Sequence, residues 1–164
     1  MTTTTFSPVD TRQARRRPLR FNSLAEMKAE IDRLAVMQVR PTGNWSLAQA
    51  IDHLAAIMEG SLDGIAAQAP WFIRMLSPLF RHKALHKGID PGIQLTGKMR
   101  AVLPLDDVTI DKAMDRMNRV FARLGDGETM ARRSPVFGTM THDDWSLLHM
   151  RHAELHLSFM HPAT

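Results

Sequence analysis

Apolar residues recur three and four positions apart in five stretches of this chain, the pattern of amphipathic helices. Ser23 and Ser46 each begin a capping box, and Thr141 stands before two aspartates, so three of the helix starts are marked. The pattern predicts main helices over residues 24–39, 47–68, 107–124 and 142–159, and a further helical piece over 71–85.

Two long connections, residues 88–105 and 125–140, carry prolines and glycines without a sustained hydrophobic period. We find no internal repeat and no convincing strand pattern. The chain is therefore predicted to be all-α, a four-helix bundle with long irregular connections. Residues 1–20 are rich in Thr, Pro and Arg, and we expect a basic, partly disordered lead-in before a single domain over residues 21–164.

Length and composition limit the kinds of fold and of chemical site that this chain can form. At 164 residues the chain is long enough for one hydrophobic core. It contains neither cysteine nor tyrosine, which excludes disulfides, thiolate ligands and a cysteine nucleophile. No segment approaches the roughly 18 apolar residues of a membrane span. We expect a soluble, cytoplasmic protein that does not associate with membranes.

The formal charge is +4, and a run of five arginines near the N-terminus supplies much of it. Such a run suggests a nucleic-acid-associated protein as one class of function. A short basic run before a first helix is more often solvated or paired locally, and the aromatic residues here are scattered rather than interleaved with basic ones. We therefore expect no nucleic-acid partner. The run is Arg12, Arg15, Arg16, Arg17 and Arg20.

The last helix carries an unusual face. His152 and His156 stand one turn apart, so both imidazoles can reach one point, the spacing of effective metal ligands. Buried ring nitrogens need partners, and a bound metal ion would satisfy several at once. The residues that share this face are Trp145, Leu148, His149, His152, Leu155, His156 and Phe159.

A metal site normally needs a third protein ligand, and His53 is the best candidate. It lies at the margin of the apolar face of the second predicted helix, so it can point inward. The rival pair, His82 and His86, lies among basic residues whose charge disfavours a cation. Three imidazoles leave other metal positions open, which is typical of catalytic sites.

Four other residues are candidates for supporting roles or can be set aside. His149 faces the same way as the ligands and could orient one of them, accept a proton as a catalytic residue, or simply pack. Arg132 and Arg133 could bind an acidic cosubstrate or cofactor, or only be solvated in their loop. Glu154 lies away from the histidines on the helical wheel, and we expect it to be solvated.

Three segments together resemble the DinB-like superfamily of metal-binding bundles, in particular an uncharacterised branch with Asn-Trp-Ser-Leu-x-Gln and His-x-x-Leu-His-Leu-Ser-Phe signatures. The resemblance extends from Leu19 to Pro162. One departure is Ser134, where relatives of this branch often have histidine. The matching segments are Gly43-Asn-Trp-Ser-Leu-Ala-Gln, Pro135-Val-Phe-Gly138 and His152-Ala-Glu-Leu-His156-Leu-Ser-Phe.

The resemblance implies a four-helix bundle, often a homodimer, with a divalent ion (Zn, Ni or Fe) held by His53, His152 and His156. Relatives of this kind include thiol S-transferases and a maleylpyruvate isomerase, in which the metal activates a low-molecular-weight thiol. A chain without cysteine fits a thiol cosubstrate. We expect a metal-dependent S-transferase or hydrolase acting on a small molecule, with a non-catalytic metal- or ligand-binding bundle as the alternative.

Overall fold

The structure is a computed structural model that describes residues 8–65, 69–92, 103–104 and 106–163. Within these residues there are five α-helices, a π-helical turn over Lys83–Lys87 and a pair of short strands. The strands β1 (Val39–Pro41) and β2 (Met160–Pro162) pair antiparallel. The helices are α1 (Leu24–Ala35), α2 (Leu47–Asp63), α3 (Trp71–His82), α4 (Ile110–Gly125) and α5 (His142–Leu157).

The predicted all-helical bundle is confirmed. Helix α2 packs against α1, α4 and α5, and α1 also packs against α5. Two partly buried ion pairs join α4 to α2. Arg116 of α4 lies 3.1 Å from Asp52 and 2.6 Å from Glu59, both of which belong to α2. The enclosed side chains form one hydrophobic core, whose fully buried large members include Met27, Ile31, Leu34, Ile51, Met58, Met117, Val120 and Trp145.

The helix starts agree with the capping signals. Ser46 Oγ accepts a hydrogen bond from the Gln49 amide at 3.2 Å, and Gln49 Oε1 accepts one from the Ser46 amide at 2.9 Å. Thr141 and Asp144 form the same reciprocal pair at the start of α5. These caps satisfy amides that lack partners inside the helix, and they fix where each helix begins.

Helix ends and strands differ from the prediction. Helix α1 ends at Ala35, and Val39 belongs to a strand where the sequence predicted none. A three-residue strand is too short to show alternation, and its partner lies over a hundred residues away. Helix α2 ends at Asp63, before the predicted Gln68. The described residues do not include Gln68, residues 1–7 of the lead-in, or residues 93–102 and 105 of the long connection.

The face of α5 away from the histidines is covered, and the expectation that Glu154 is solvated is wrong. Glu154 is only 8% exposed. One of its carboxylate oxygens accepts a hydrogen bond from the Phe21 amide at 2.7 Å and lies 2.9 Å from Arg151 Nη1. Residues 16–21 run across this face, and a helical wheel of α5 cannot show that another segment lies there.

Helix α3 lies outside the bundle core and exposes most of its large apolar side chains. Pro78 lies inside it and cannot donate to the carbonyl of Arg74, but the Ser77 hydroxyl donates to that carbonyl at 2.8 Å. Neither α3 nor any other described helix is long and apolar enough to cross a bilayer.

Candidate metal centre

Helices α2 and α5 bring His53, His152 and His156 together. The Nε2 atom of His152 lies 3.2 Å from Nε2 of His53 and 3.0 Å from Nε2 of His156. His53 comes from the second turn of α2, and the other two stand one turn apart on α5. Among the described residues, these three form the one group of histidine and carboxylate side chains whose potential ligand atoms all lie within 4.8 Å of one another.

The spacing of the nitrogens fits a transition-metal ion. Imidazole nitrogens bind zinc at about 2.0–2.1 Å. Two ligands at that distance are about 2.9 Å apart when they subtend a right angle and about 3.3 Å apart in a tetrahedron. The observed separations of 3.0 and 3.2 Å lie between these values. Both separations are therefore in the range expected for ligands of one ion, and the third pair of ligand atoms lies within 4.8 Å.

The electrostatics favour neutral imidazoles. Burial, with the neighbouring imidazoles, lowers the pKa of His152 well below its usual range. Burial and the charge of His53 lower the pKa of His156 to about 3. Protonated rings at these separations would repel one another. At neutral pH these two side chains therefore offer lone pairs, which is the form that binds metal ions.

Trp45 completes the wall of the site, and it was not among the candidates from the sequence. Its ring stacks on His156 at 4.8 Å between centroids and meets the edge of His53 at 4.9 Å. It immediately precedes the cap Ser46, so the start of α2 fixes its position. The sequence feature that could have indicated Trp45 is its place in the Asn-Trp-Ser-Leu signature. His53 is buried, whereas Trp45, His152 and His156 are half-buried, so one side of the cluster faces solvent.

His149 lies one turn before His152 and is buried. Its Nε2 lies 3.1 Å from Ser61 Oγ, and its ring stacks on Trp145 at 5.3 Å. Burial and the charge of His142 lower the pKa of His149 to about 3. These contacts favour packing and alignment of α5 among the roles that the sequence left open, and a catalytic role stays a prediction.

The loop arginines lie toward the far end of α2. Arg132 Nε donates to the carbonyl of Leu62 at 3.0 Å, and its own carbonyl accepts from Trp145 Nε1 at 2.9 Å. Leu62 is nine residues beyond His53, about 13 Å along the helix. Arg132 and Arg133 are exposed. The structure does not place either arginine against the histidines, and binding of a cosubstrate by them stays a prediction.

Ser134, which stands where related sequences often have histidine, stabilises a turn. Its hydroxyl oxygen accepts hydrogen bonds from the amides of Val136 and Phe137 at 3.3 and 3.1 Å. Ser134 and Gly138 also exchange backbone hydrogen bonds, and Gly138 adopts a φ of 73° that favours glycine. Ser134 therefore closes the turn that precedes α5.

The rival pair is placed elsewhere. His82 and His86 are both exposed, with ring centroids 4.7 Å apart at the end of α3 and in the π-helical turn. Within the described parts of the chain, no third histidine or carboxylate joins them in a cluster that could hold a metal ion.

Comparison with known families identifies the family of this chain. The sequence pattern of a family described as a protein of unknown function (DUF1569) matches residues 13–163. The chain belongs to the DUF1569 family. The match covers the whole bundle, including α2 and α5 with their three histidines, so the site lies inside the part that the family shares. Comparisons with curated proteins and with solved structures give no match.

We predict a pH-dependent stability from His149. Its pKa is about 3 in the folded protein and close to 6.5 when unfolded. The unfolded chain therefore binds more protons as the pH falls from about 6.5 toward 3, and stability is lost over that window. For one such histidine the loss is about 2 kcal/mol at pH 5. The free energy of unfolding can be measured with urea at pH 7.5 and at pH 5, on protein stripped of metal by a chelator. Between these pH values His149→Gln should lose about 2 kcal/mol less than the wild-type protein.

The matched control is His82→Gln, which removes an exposed histidine and should leave the pH dependence of the wild-type protein unchanged. An identical loss of stability in wild type and His149→Gln would contradict the assignment of a buried, neutral His149.

Proposed function

We propose that this protein is a metal-dependent enzyme in which His53, His152 and His156 bind one divalent ion, either Zn, Ni or Fe. The observation that carries the proposal is the convergence of three imidazole nitrogens at metal-ligand spacing on a half-buried wall. The reaction that we favour is transfer of a low-molecular-weight thiol to a small electrophile, with metal-assisted hydrolysis as the related alternative.

The resemblance to DinB-like proteins supports this proposal. The helical bundle and the three-histidine cluster agree with what that resemblance implies. We therefore propose that DUF1569 proteins belong with the DinB-like metal-binding bundles. The chain has no cysteine, so a thiol substrate would come from solution.

The residues of the chain have separable roles in this proposal. His53 is held by α2, while His152 and His156 are held by α5, so the rigid bundle sets the direction of all three lone pairs. Trp45 packs on two of the rings and shields them from water. A divalent ion bound by neutral imidazoles lowers the pKa of a bound thiol or water and so supplies an anionic nucleophile at neutral pH. The half-exposed side of the cluster is where a small substrate would approach.

The first prediction of this proposal concerns metal content. Purified protein should carry about one divalent ion per chain, measured by inductively coupled plasma mass spectrometry. His152→Ala and His156→Ala should each lose the ion, because two remaining imidazoles bind far more weakly than three.

The matched controls are His82→Ala and His86→Ala, which remove histidines at the same spacing from the exposed pair. These variants should keep the ion. Full retention of metal by His152→Ala and His156→Ala, or loss of metal in the controls, would refute the assignment of the site.

The second prediction concerns the thiol. Cobalt-substituted protein should develop a sulfur-to-metal charge-transfer absorption when a low-molecular-weight thiol is added, because coordination stabilises thiolate over thiol. The metal-loaded protein should also accelerate attack of that thiol on a test electrophile. His53→Ala should show neither effect.

Cobalt bound in the site with no spectral change and no rate gain over a range of thiols would refute the S-transferase function. Hydrolysis of activated esters by the same protein would then support the hydrolase alternative. Absence of both reactions would leave a metal- or ligand-binding bundle.

We also propose that the protein is a homodimer that buries the exposed face of α3. Trp71 and Leu79 are 73% and 74% exposed, and Met75 and Phe80 are also more than half exposed. Phe72, Ile73 and Leu76 extend this exposed apolar surface on the same helix. Apolar and aromatic side chains of this kind form the cores of homodimer interfaces.

The third prediction tests this face. Leu79→Glu should convert the dimer to a monomer in sedimentation equilibrium, because it places a charge in the apolar contact. Val36→Glu changes an 86% exposed residue on another surface and should leave the mass unchanged. A dimer that survives Leu79→Glu, or a monomeric wild-type protein, would contradict the proposal. The cytoplasmic location and the absence of a nucleic-acid partner stay predictions from the sequence.

A further inference from the structure

A partly open cavity lies on the side of α5 away from the histidines. It has a volume of about 480 Å³ and is lined by the N-terminal segment, the residues around Gly88 and one face of α5. The volume is in the range of small-molecule sites. None of His53, His152 and His156 lines it. Five cationic side chains line it, namely Arg16, Arg17, Arg20, Lys87 and Arg151.

The lining carries an excess of three positive charges. Its two carboxylates, Glu154 and Asp90, both have cationic partners already. Glu154 lies 2.9 Å from Arg151 Nη1 and 3.6 Å from Arg20 Nη1. Asp90 pairs with Lys83, which is not part of the lining. Arg17 pairs with Glu30, which lies outside the lining, at 2.8 Å. Among the described residues, Arg16 and Lys87 are therefore the lining cations without a carboxylate partner.

Arg151 gives the strongest indication of a ligand. Its side chain is 2% exposed, and its Nη2 donates to the carbonyl of Phe21 at 2.5 Å. Its Nε has no hydrogen-bond partner among the described residues, and its Nη1 faces Glu154 without hydrogen-bond geometry. Buried donors of a charged group are rarely left unsatisfied. Arg17 Nε, also in the lining, is buried and unpartnered in the same way within the described chain.

Two further cations lie at the edge of the cavity and are accessible. Arg16 binds Ser158 Oγ at 2.8 Å, and neither it nor Lys87 forms an ion pair with any described carboxylate. Both side chains are exposed. An anion that enters the cavity would therefore meet exposed cations first and the buried guanidinium of Arg151 behind them.

We propose that this cavity, the arginine pocket, binds a small organic phosphate. A phosphate ester carries close to two negative charges at neutral pH and accepts the paired donors of a guanidinium. The phosphate would contact the exposed side chains of Arg20 and Lys87, with the buried guanidinium of Arg151 behind them. The cavity is larger than an inorganic phosphate, and Leu19, Ile89 and Leu155 give its remaining wall an apolar surface for the carbon part. This site is independent of the proposed metal chemistry.

Calorimetry with phenyl phosphate as the probe tests the proposal on full-length protein stripped of metal by chelation. We expect saturable binding that weakens with salt. Lys87→Glu should weaken it at least tenfold, because it reverses a charge at the entrance. The matched control Lys112→Glu reverses an exposed charge on α4 and should bind like wild type. His152→Ala should also bind like wild type, which separates this pocket from the histidine cluster.

A second variant examines the base of the pocket. Arg151→Lys keeps the positive charge but removes the paired donors, and in folded protein, checked by circular dichroism, it should weaken phenyl phosphate binding. Binding unchanged in Lys87→Glu, binding lost in His152→Ala, or equal affinity for benzoate would each overturn the proposal. Binding to vesicles that contain phosphatidic acid, without binding to phenyl phosphate, would overturn it in favour of a lipid headgroup.

Discussion

The packing of α2 against α5 is the constraint on which the rest of the site depends. It places an imidazole from α2 within 3.2 Å of an imidazole from α5, and the second α5 histidine follows one turn later. Burial and the neighbouring imidazoles lower the pKa values of His152 and His156, so the lone pairs of these two rings stay available. The same contact that completes the hydrophobic core thus also prepares a ligand set for a cation.

Several local features hold this contact rigid. The capping box at Ser46 fixes the first turn of α2 and, with it, the tryptophan that stacks on His156. Arg116 ties the outer side of α2 to α4 through two carboxylates. His149 and Ser61 join α5 to α2 between the ligands and the loop arginines. These contacts restrain both helices near the three imidazoles, so the side chains have little freedom to separate.

Helix α5 has two chemically different faces. One presents neutral imidazoles toward α2. The other presents Arg151 and Glu154 to the N-terminal segment, which closes over them and leaves the arginine pocket at its margin. Arg151 and His152 are adjacent in sequence, so the two proposed sites lie on opposite sides of the same turn of α5.

Much of the fold follows from short-range patterns. Apolar spacing predicted the helices, and capping residues predicted three of their starts, because both depend on interactions within a few residues along the chain. His152 and His156 were accessible to the same reasoning, since a spacing of four residues fixes their relation on a helix. His53 could be selected by its place at the margin of an apolar face, and the structure brings it to the other two.

The sequence by itself thus determined the helices, their caps and the pairing of histidines on one turn. The tertiary structure decided the two short strands, the burial of Glu154, the position of Trp45 and the arginine pocket. Each of these depends on segments far apart in the chain, such as residues 20–21 against α5, or residues 39–41 against 160–162. Periodicity along one segment shows which face is apolar, but only the folded chain shows what covers the other face.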